Sequence, residues 1–382
     1  MPRYPHIAPT VAAMEGAVYS SLVERAKRAG GELYPFHVGD TWMEPADGTR
    51  MENLTVAENP GMHRYAPVQG LPELIDAVVE RTRERTGAPT ERDEVLIAAG
   101  ATGALGAAVG AIVEPGDEVL LAAPYWPLIE GIVRSFRAKP VAVPFFGEVD
   151  SPEAAVEAMA AQVTERTVAV YWNTPNNPSG QPAEASWVAA LCDWAMARDL
   201  WILADEVYEE TLFEGQQPYA RPLAPGHTFS IHSFSKCFGM AGNRCGWTVG
   251  PGPKMEELRK VSTHTFYSTP TASQLAALRA LGGPGDEWAE AARARYAEIG
   301  ARTAAKLGVE APKGSTFLFL DVADHLDEGG LPGWLERCAD QGLLLAPGPS
   351  FGPYPTHVRL CFTAAPPEVT ERGVDRLAAL LA

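Results

Sequence analysis

WILADEVY, residues 201–208, is a continuous apolar run that ends in a carboxylate at Asp205. A strand with so little polar alternation suits a parallel sheet that is covered by helices on both faces. Six further apolar runs alternate with stretches of helical spacing, which is typical of βαβ units. They are EVLIAAG (94–100), DEVLLAAP (117–124), PVAVPF (140–145), TVAVYWN (167–173), TFSIHSFS (228–235) and GWTVG (246–250). The sequence therefore predicts an α/β fold with a three-layer αβα domain.

The pattern changes after about residue 265. A long helical stretch is followed by three shorter apolar runs, TFLFLDV, LLLAPG and HVRLCF, with helical segments between them. This arrangement predicts a second, smaller α+β domain. A chain of 382 residues is long enough for one large domain and one small one.

The composition argues against several classes of protein. A net charge of −17 and a pI near 4.9 are unfavourable for a general nucleic-acid binder, which needs a basic face. The five cysteines have no CxxC spacing, so neither a disulfide framework nor a metal site is expected. No apolar signal core and no membrane-spanning run is found. We therefore expect a cytoplasmic protein without nucleic-acid or membrane partners.

Polar residues follow the apolar runs where a parallel sheet binds its ligands, beyond the carboxyl ends of its strands. Lys236, after Ser233 and Ser235, is either a solvated surface charge or a Schiff-base lysine held against a carbonyl carbon. Asp205 is either a helix N-cap or the partner of a protonated ring nitrogen. Each residue alone is a weak indication, and the prediction rests on their combination.

A second group suits an anionic aromatic ligand. Gly100 to Ala104 lies between a strand and a helix, where backbone N–H groups and the Thr102 hydroxyl form an anion site, with Arg244 as an added charge. The same small residues would also permit close helix packing. Trp126 either stacks on a flat ring or belongs to the core.

These motifs, in this order from HVGDTW to HVRLCF, resemble the fold-type I aminotransferases of classes I and II, which depend on pyridoxal 5′-phosphate (PLP). The resemblance implies PLP as the cofactor and an L-amino acid and a 2-oxo acid as substrates. It implies a large domain at 45–265 with a mostly parallel seven-stranded sheet, and a small domain at 1–44 and 266–382. It also implies a homodimer with shared active sites.

The resemblance further implies roles for single residues at the cofactor ring. Lys236 is the Schiff-base lysine that moves a proton between the substrate Cα and the cofactor. Asp205 pairs with the pyridine nitrogen, and Asn177 and Tyr208 bind the phenolic oxygen. Trp126 stacks on the ring and, with Asn177, also faces the substrate.

The phosphate and the substrate carboxylate have their own expected partners. The residues implied for the phosphate of the same chain are Ala101 through its backbone, Thr102, Ser233, Ser235 and Arg244. Tyr65 is expected to reach the phosphate of the neighbouring subunit. Arg359 is expected to hold the substrate α-carboxylate, with the Gly39 backbone beside it.

Two other functions share these motifs. A lyase that carries out β- or γ-elimination, or an aminocyclopropane-carboxylate-synthase-like enzyme, would use the same residues. A PLP-binding regulator would carry a DNA-binding domain before the first motif, and the residues that precede HVGDTW are too few for one.

Members that select dicarboxylates have arginine in the loop resembling THTFYSTP, where this chain has His264. Strong aspartate or glutamate selectivity by that route is therefore not expected.

Overall fold

The computed structural model describes residues 6–12, 14 and 20–382. Its strands are β1 (Val95–Ala98), β2 (Glu118–Ala123), β3 (Lys139–Pro144), β4 (Thr167–Asn173), β5 (Trp201–Asp205), β6 (Thr228–Ser233), β7 (Gly246–Val249), β8 (Phe317–Asp321), β9 (Ala346–Pro347) and β10 (His357–Cys361). Its helices are α1 (Pro9–Ala12), α2 (Ser20–Ala29), α3 (Pro72–Thr86), α4 (Gly100–Ile112), α5 (Leu128–Ser135), α6 (Pro152–Ala160), α7 (Ala185–Met196), α8 (Phe234–Cys237), α9 (Gly252–Thr265), α10 (Thr271–Leu281), α11 (Pro284–Leu307), α12 (Gly330–Asp340) and α13 (Pro367–Leu380).

The large sheet has seven strands in the order β1-β7-β6-β5-β4-β2-β3. Only β7 runs antiparallel to its neighbours β1 and β6, so the predicted α/β class with a mostly parallel seven-stranded sheet is confirmed. Successive residues of a strand point to opposite faces. Tyr171 accordingly packs in the cluster that contains residues of α4 and α5, whereas Trp172 packs with residues of α6 and α7.

The second sheet has three antiparallel strands in the order β8-β10-β9. Its core combines residues of α11, α12 and α13 with Tyr34 and Phe36 from the N-terminal part of the chain. Helix α10 packs elsewhere, because Ala276 and Ala280 join the cluster that contains Ile97 of the large sheet. The domain limits near residues 45 and 266 stay a prediction.

The large sheet positions polar residues at one edge. Asn173 of β4 lies beside Asp205 of β5, and Ser233 of β6 lies beside Gly246 of β7.

In the described part of the chain, no helix has the length and apolar character to cross a bilayer. Within the same residues, no cluster of three or more histidine, cysteine or acidic side chains is suited to a metal ion.

Candidate active site

A cavity of about 590 Å³, including its opening to solvent, lies at the carboxyl ends of β4, β5 and β6. This size is within the range of small-molecule sites. The residues that line it are Ala101, Thr102, Trp126, Asn173, Asn177, Asp205, Val207, Tyr208, Ser233, Ser235, Lys236, Ala241 and Arg244. The fold thus brings together ten of the thirteen residues that the sequence predicted for the site.

The start of helix α4 forms one wall of this cavity. Gly100 has a φ of +70°, and a Cβ atom there would lie 2.6 Å from Nη2 of Arg244. Only glycine therefore lets the guanidinium approach the first turn of the helix. Arg244 itself has a left-handed backbone conformation (φ 51°), and its Nη1 donates to the Ala241 carbonyl at 2.9 Å. Free helix N–H groups, a hydroxyl at Thr102 and a guanidinium together suit a phosphate.

Asp205 lies at the end of β5 and is 3% exposed. Its Oδ2 accepts a 2.7 Å hydrogen bond from the Tyr171 hydroxyl, and its Oδ1 accepts a longer one from the Val207 N–H at 3.4 Å. Burial nevertheless raises the pKa of Asp205 to about 6. A positive group in the cavity would therefore favour the ionised form of this buried carboxylate.

Lys236 is the amine of the cavity. Helix α8, which carries it, begins after Ser233, whose hydroxyl oxygen accepts the Ser235 N–H at 3.0 Å. The Lys236 ammonium donates to the Gly39 carbonyl oxygen. Burial lowers the pKa of Lys236, and the nearby Asp40 opposes this change in part. A larger fraction of the amine is therefore uncharged and nucleophilic near neutral pH.

Asn177 and Tyr208 are buried neighbours, with 3.5 Å between Asn177 Nδ2 and the Tyr208 hydroxyl. The Asn177 N–H donates to Asn173 Oδ1 at 2.7 Å, which fixes the turn after β4. Burial raises the pKa of Tyr208 well above its usual range, so its phenol stays a proton donor. The two side chains can therefore donate to one anionic oxygen.

Arg359 of β10 joins the small sheet to this site. Its Nη1 donates to Asn177 Oδ1 at 3.0 Å and its Nη2 donates to the His37 carbonyl at 2.6 Å. The guanidinium lies 4.4 Å from the centroid of the Phe317 ring. A Cβ at Gly39 would lie 3.1 Å from that ring and 3.9 Å from Nη1, so Gly39 leaves the guanidinium accessible.

The cavity lining does not include Tyr65, Gly39, Arg359 or His264, nor does it include Trp42, the tryptophan of HVGDTW. Tyr65 is 87% exposed and contacts the Tyr267 ring, with 5.1 Å between the centroids. His264 is exposed near the end of α9. Trp42 packs edge-on against Tyr296 in the core of the small sheet, at 5.7 Å. The role of Tyr65 at the partner's phosphate and the weak dicarboxylate selectivity inferred from His264 stay predictions.

The sequence prediction assigned no role to Tyr171 or Asn173. Both belong to β4, and their spacing of two residues places them on the same face of the sheet. Asn173 Nδ2 donates to the Asp205 carbonyl at 2.9 Å, while Tyr171 binds the Asp205 carboxylate. A strand with polar residues two apart, next to a strand that ends in aspartate, contains the information needed to find them.

Comparisons with known proteins cover nearly the whole chain. The family model for aminotransferases of class I and II matches residues 18–377. An aspartate/prephenate aminotransferase of Thermus thermophilus is 31% identical over 93% of this chain and 92% of its own length. An arginine–pyruvate transaminase of Pseudomonas aeruginosa is 34% identical over 78% of each chain. The solved structure of T. thermophilus aspartate aminotransferase with maleate covers 99% of this chain and 100% of its own, with a TM-score of 0.88 at 28% identity.

Proposed function

Because the chain belongs to the class I and II aminotransferases, we propose that it moves an amino group between an L-amino acid and a 2-oxo acid with PLP bound at Lys236. The observation that carries this proposal is that three chemical groups lie in the same cavity. Lys236, Asp205 and the N-terminus of α4 supply an amine, a buried acid and an anion site within one cavity.

The residues of the cavity fit PLP in three respects. The first turn of α4, Thr102 and Arg244 suit the phosphate, and Asp205 suits a protonated ring nitrogen. Lys236 suits the aldehyde carbon. Bound PLP supplies an electron sink for the carbanion that forms when the substrate loses its Cα proton. All other parts of the mechanism belong to the protein.

Lys236 moves the proton. Its amine has a lowered pKa, so Nζ can accept the substrate Cα proton near neutral pH and later return it from the same side. The long flexible side chain allows Nζ to serve more than one atom. Tyr208 and Asn177 would hold the phenolic oxygen of the ring with donated hydrogen bonds, and Asp205 would keep the ring nitrogen charged.

Arg359 orients the substrate. A guanidinium offers a planar pair of donors that matches a carboxylate, and the Phe317 ring and the Asn177 amide fix its plane. All amino acids carry the α-carboxylate, so this contact sets orientation rather than choice of side chain. The named relatives differ in their substrates, and the presence of His264 argues against strong selectivity for dicarboxylates through that loop.

The proposed assembly is a homodimer in which each subunit completes the site of the other. Tyr65 supports this proposal, because an aromatic side chain that is 87% exposed suits a contact with a second subunit. In that assembly its hydroxyl would reach the partner's phosphate. A cytoplasmic location also remains part of the proposal.

The test is an assay of the purified protein with PLP against the common amino acids, with and without an added 2-oxo acid. Transamination predicts that product 2-oxo acid accumulates beyond one equivalent only when the acceptor is present. Release of pyruvate and ammonia without any acceptor would identify the lyase alternative and contradict the proposal. Rapid absorbance measurements of the bound cofactor identify the donor amino acids directly.

A further inference from the structure

A buried group of charges lies directly behind the cavity, and the mechanism above does not use it. We call it the His232 cluster, and it consists of His232, Glu206, Glu209, Arg81 and Tyr219. His232 Nδ1 lies 2.9 Å from Glu209 Oε1, and His232 Nε2 lies 3.4 Å from Glu206 Oε2. The Tyr219 hydroxyl donates to Glu209 Oε2 at 2.8 Å. The imidazole also stacks on the Trp247 ring, with 4.9 Å between centroids and 9° between planes.

Three members of the cluster adjoin residues of the cavity in the sequence. Glu206 follows Asp205, Glu209 follows Tyr208, and His232 precedes Ser233. His232 and Ser233 are neighbours in β6, so their side chains point to opposite faces of the sheet. Ile231, the residue before His232, pairs with Asp205 across β5 and β6, which places His232 beside the strand end that carries Asp205. The side chains of His232, Glu206 and Glu209 are 6% exposed or less. A charge in such a place acts through little water.

The cluster favours the cationic form of His232. Burial alone would lower the pKa of His232, but Glu209 and Glu206 together raise it above its ordinary value. Arg81 is the other nearby cation, and its guanidinium forms ion pairs with Glu210 at 2.6 Å and with Asp286 at 2.8 Å. Burial raises the pKa of Glu206 to about 7, so this second acid is largely neutral below that pH.

We propose that His232 is a positioning residue for the cofactor, because its imidazolium, anchored by Glu209, keeps the buried carboxylate of Asp205 ionised. This inference rests on the proposed function, in which Asp205 pairs with the cationic ring nitrogen of PLP. His232 touches neither cofactor nor substrate and acts only through Asp205.

The other groups around Asp205 leave a role for this charge. Burial dominates its environment and opposes ionisation, while the Tyr171 hydroxyl, the Val207 N–H and the His232 charge favour it in that order. The first two are fixed dipoles, whereas His232 supplies a full charge that acts without a hydrogen bond. Replacing it by a neutral side chain should make the carboxylate bind its proton more tightly, so that a higher pH is needed to ionise it.

The experiment measures the affinity of the protein for PLP as a function of pH, by the absorbance of the bound cofactor. In His232→Gln, the pH at which affinity falls to half should rise by roughly 0.5–1 unit relative to wild type. His232→Arg keeps a planar cation that can stack on Trp247, and it should restore the wild-type midpoint. Tyr219→Phe is the matched control, because it removes a hydrogen bond from Glu209 without removing a charge and should leave the midpoint unchanged.

The outcomes separate this inference from the proposed function. If wild type binds PLP and His232→Gln has the wild-type midpoint, the inference is overturned and the function stands. If wild type binds no PLP at any pH, the proposed function fails and the inference fails with it. Should His232→Gln not fold, His232→Phe decides, because its neutral ring can keep the stack on Trp247. Its midpoint must also move to higher pH, and a midpoint that stays or falls overturns the inference.

Discussion

The Tyr171 hydroxyl donates a 2.7 Å hydrogen bond to Oδ2 of Asp205, and both side chains are buried. Burial raises the pKa of Tyr171 well above its usual range, so this phenol stays a donor throughout the physiological range of pH. A neutral donor partly offsets the cost of burying the carboxylate without neutralising it. Asp205 therefore keeps the capacity to bind a cation from the cavity.

Tyr171→Phe should weaken PLP binding while the fold is kept. The change removes one hydrogen bond to the carboxylate but preserves the buried ring, so we expect about a tenfold loss of affinity near neutral pH. The loss should be smaller at higher pH, where Asp205 is ionised in both proteins. Cofactor titration by absorbance measures it. Tyr34→Phe removes a hydroxyl that binds Glu32 in the small domain, and it should leave the affinity unchanged.

Asp205→Asn should show the energetic cost of the buried acid in the cofactor-free protein. The pKa of Asp205 is raised from 3.8 to about 6, so the folded state binds this proton more tightly than the unfolded state. That stabilisation is complete below the ordinary pKa and is lost as the pH rises through about 6. Asparagine does not titrate. Relative to wild type, the free energy of unfolding of the variant should therefore rise by roughly 1–3 kcal/mol between about pH 4 and about pH 7.

Urea unfolding of the two cofactor-free proteins across this pH range measures the difference. A variant that loses stability relative to wild type as the pH rises would contradict the assignment. Asp340→Asn provides a control of opposite sign, because Arg25 lowers the pKa of Asp340. That variant should lose stability relative to wild type as the pH rises through the ordinary range of a carboxyl group.

The strands of the large sheet could be predicted because each is an apolar run long enough to be recognised alone. WILADEVY and TVAVYWN place Asp205 and Asn173 at strand ends, and a parallel sheet brings those ends to one edge. These runs do not predict the order of the strands within the sheet. The antiparallel direction of β7 depends on the path of the chain between Lys236 and Gly246, which has no periodic pattern.

Other features depend on contacts between distant segments. The bond from Arg359 to Asn177 joins residues 182 positions apart, and the His232 cluster joins α3 to β6 and the segment after β5. Local spacing carries no information on such pairs. Tyr171 was missed for a related reason, since an aromatic residue within an apolar strand has the pattern of a core residue.

Gly100→Ala should disturb the anion site without unfolding the protein. The new Cβ would lie 2.6 Å from Arg244 Nη2 and would occupy a backbone conformation with φ +70° that alanine disfavours. We expect a stability loss of about 1 kcal/mol and at least about a tenfold weaker affinity for PLP. Gly106→Ala in the same helix has no atom within 4 Å of the added Cβ. This control should raise stability slightly and leave affinity as it is.

Lys236→Ala should remove the covalent link to the cofactor. Borohydride treatment of wild type with PLP should fix one cofactor per chain to a peptide that contains residue 236, and the variant should retain none. Transamination should fall by at least about 10²-fold, because the proton-transfer group is lost. Lys260→Ala, which removes an exposed lysine paired with Glu257, should behave as wild type in both measurements. Covalent labelling of the Lys236→Ala protein would show that another amine holds PLP.

Arg359→Lys should impair every amino donor to a similar degree. Lysine keeps the charge but loses the planar pair of donors, and it cannot keep both the Asn177 and the His37 contacts together with the stack on Phe317. We expect kcat/KM to fall by about 10²-fold for each donor, through KM more than through kcat, because the α-carboxylate is common to all of them. PLP affinity should change little. Arg376→Lys is the matched control, since Arg376 also lies over an aromatic ring, that of Tyr34 at 5.3 Å, but within the small domain. If the Arg359→Lys loss depends strongly on the donor side chain, Arg359 binds that side chain instead of the α-carboxylate.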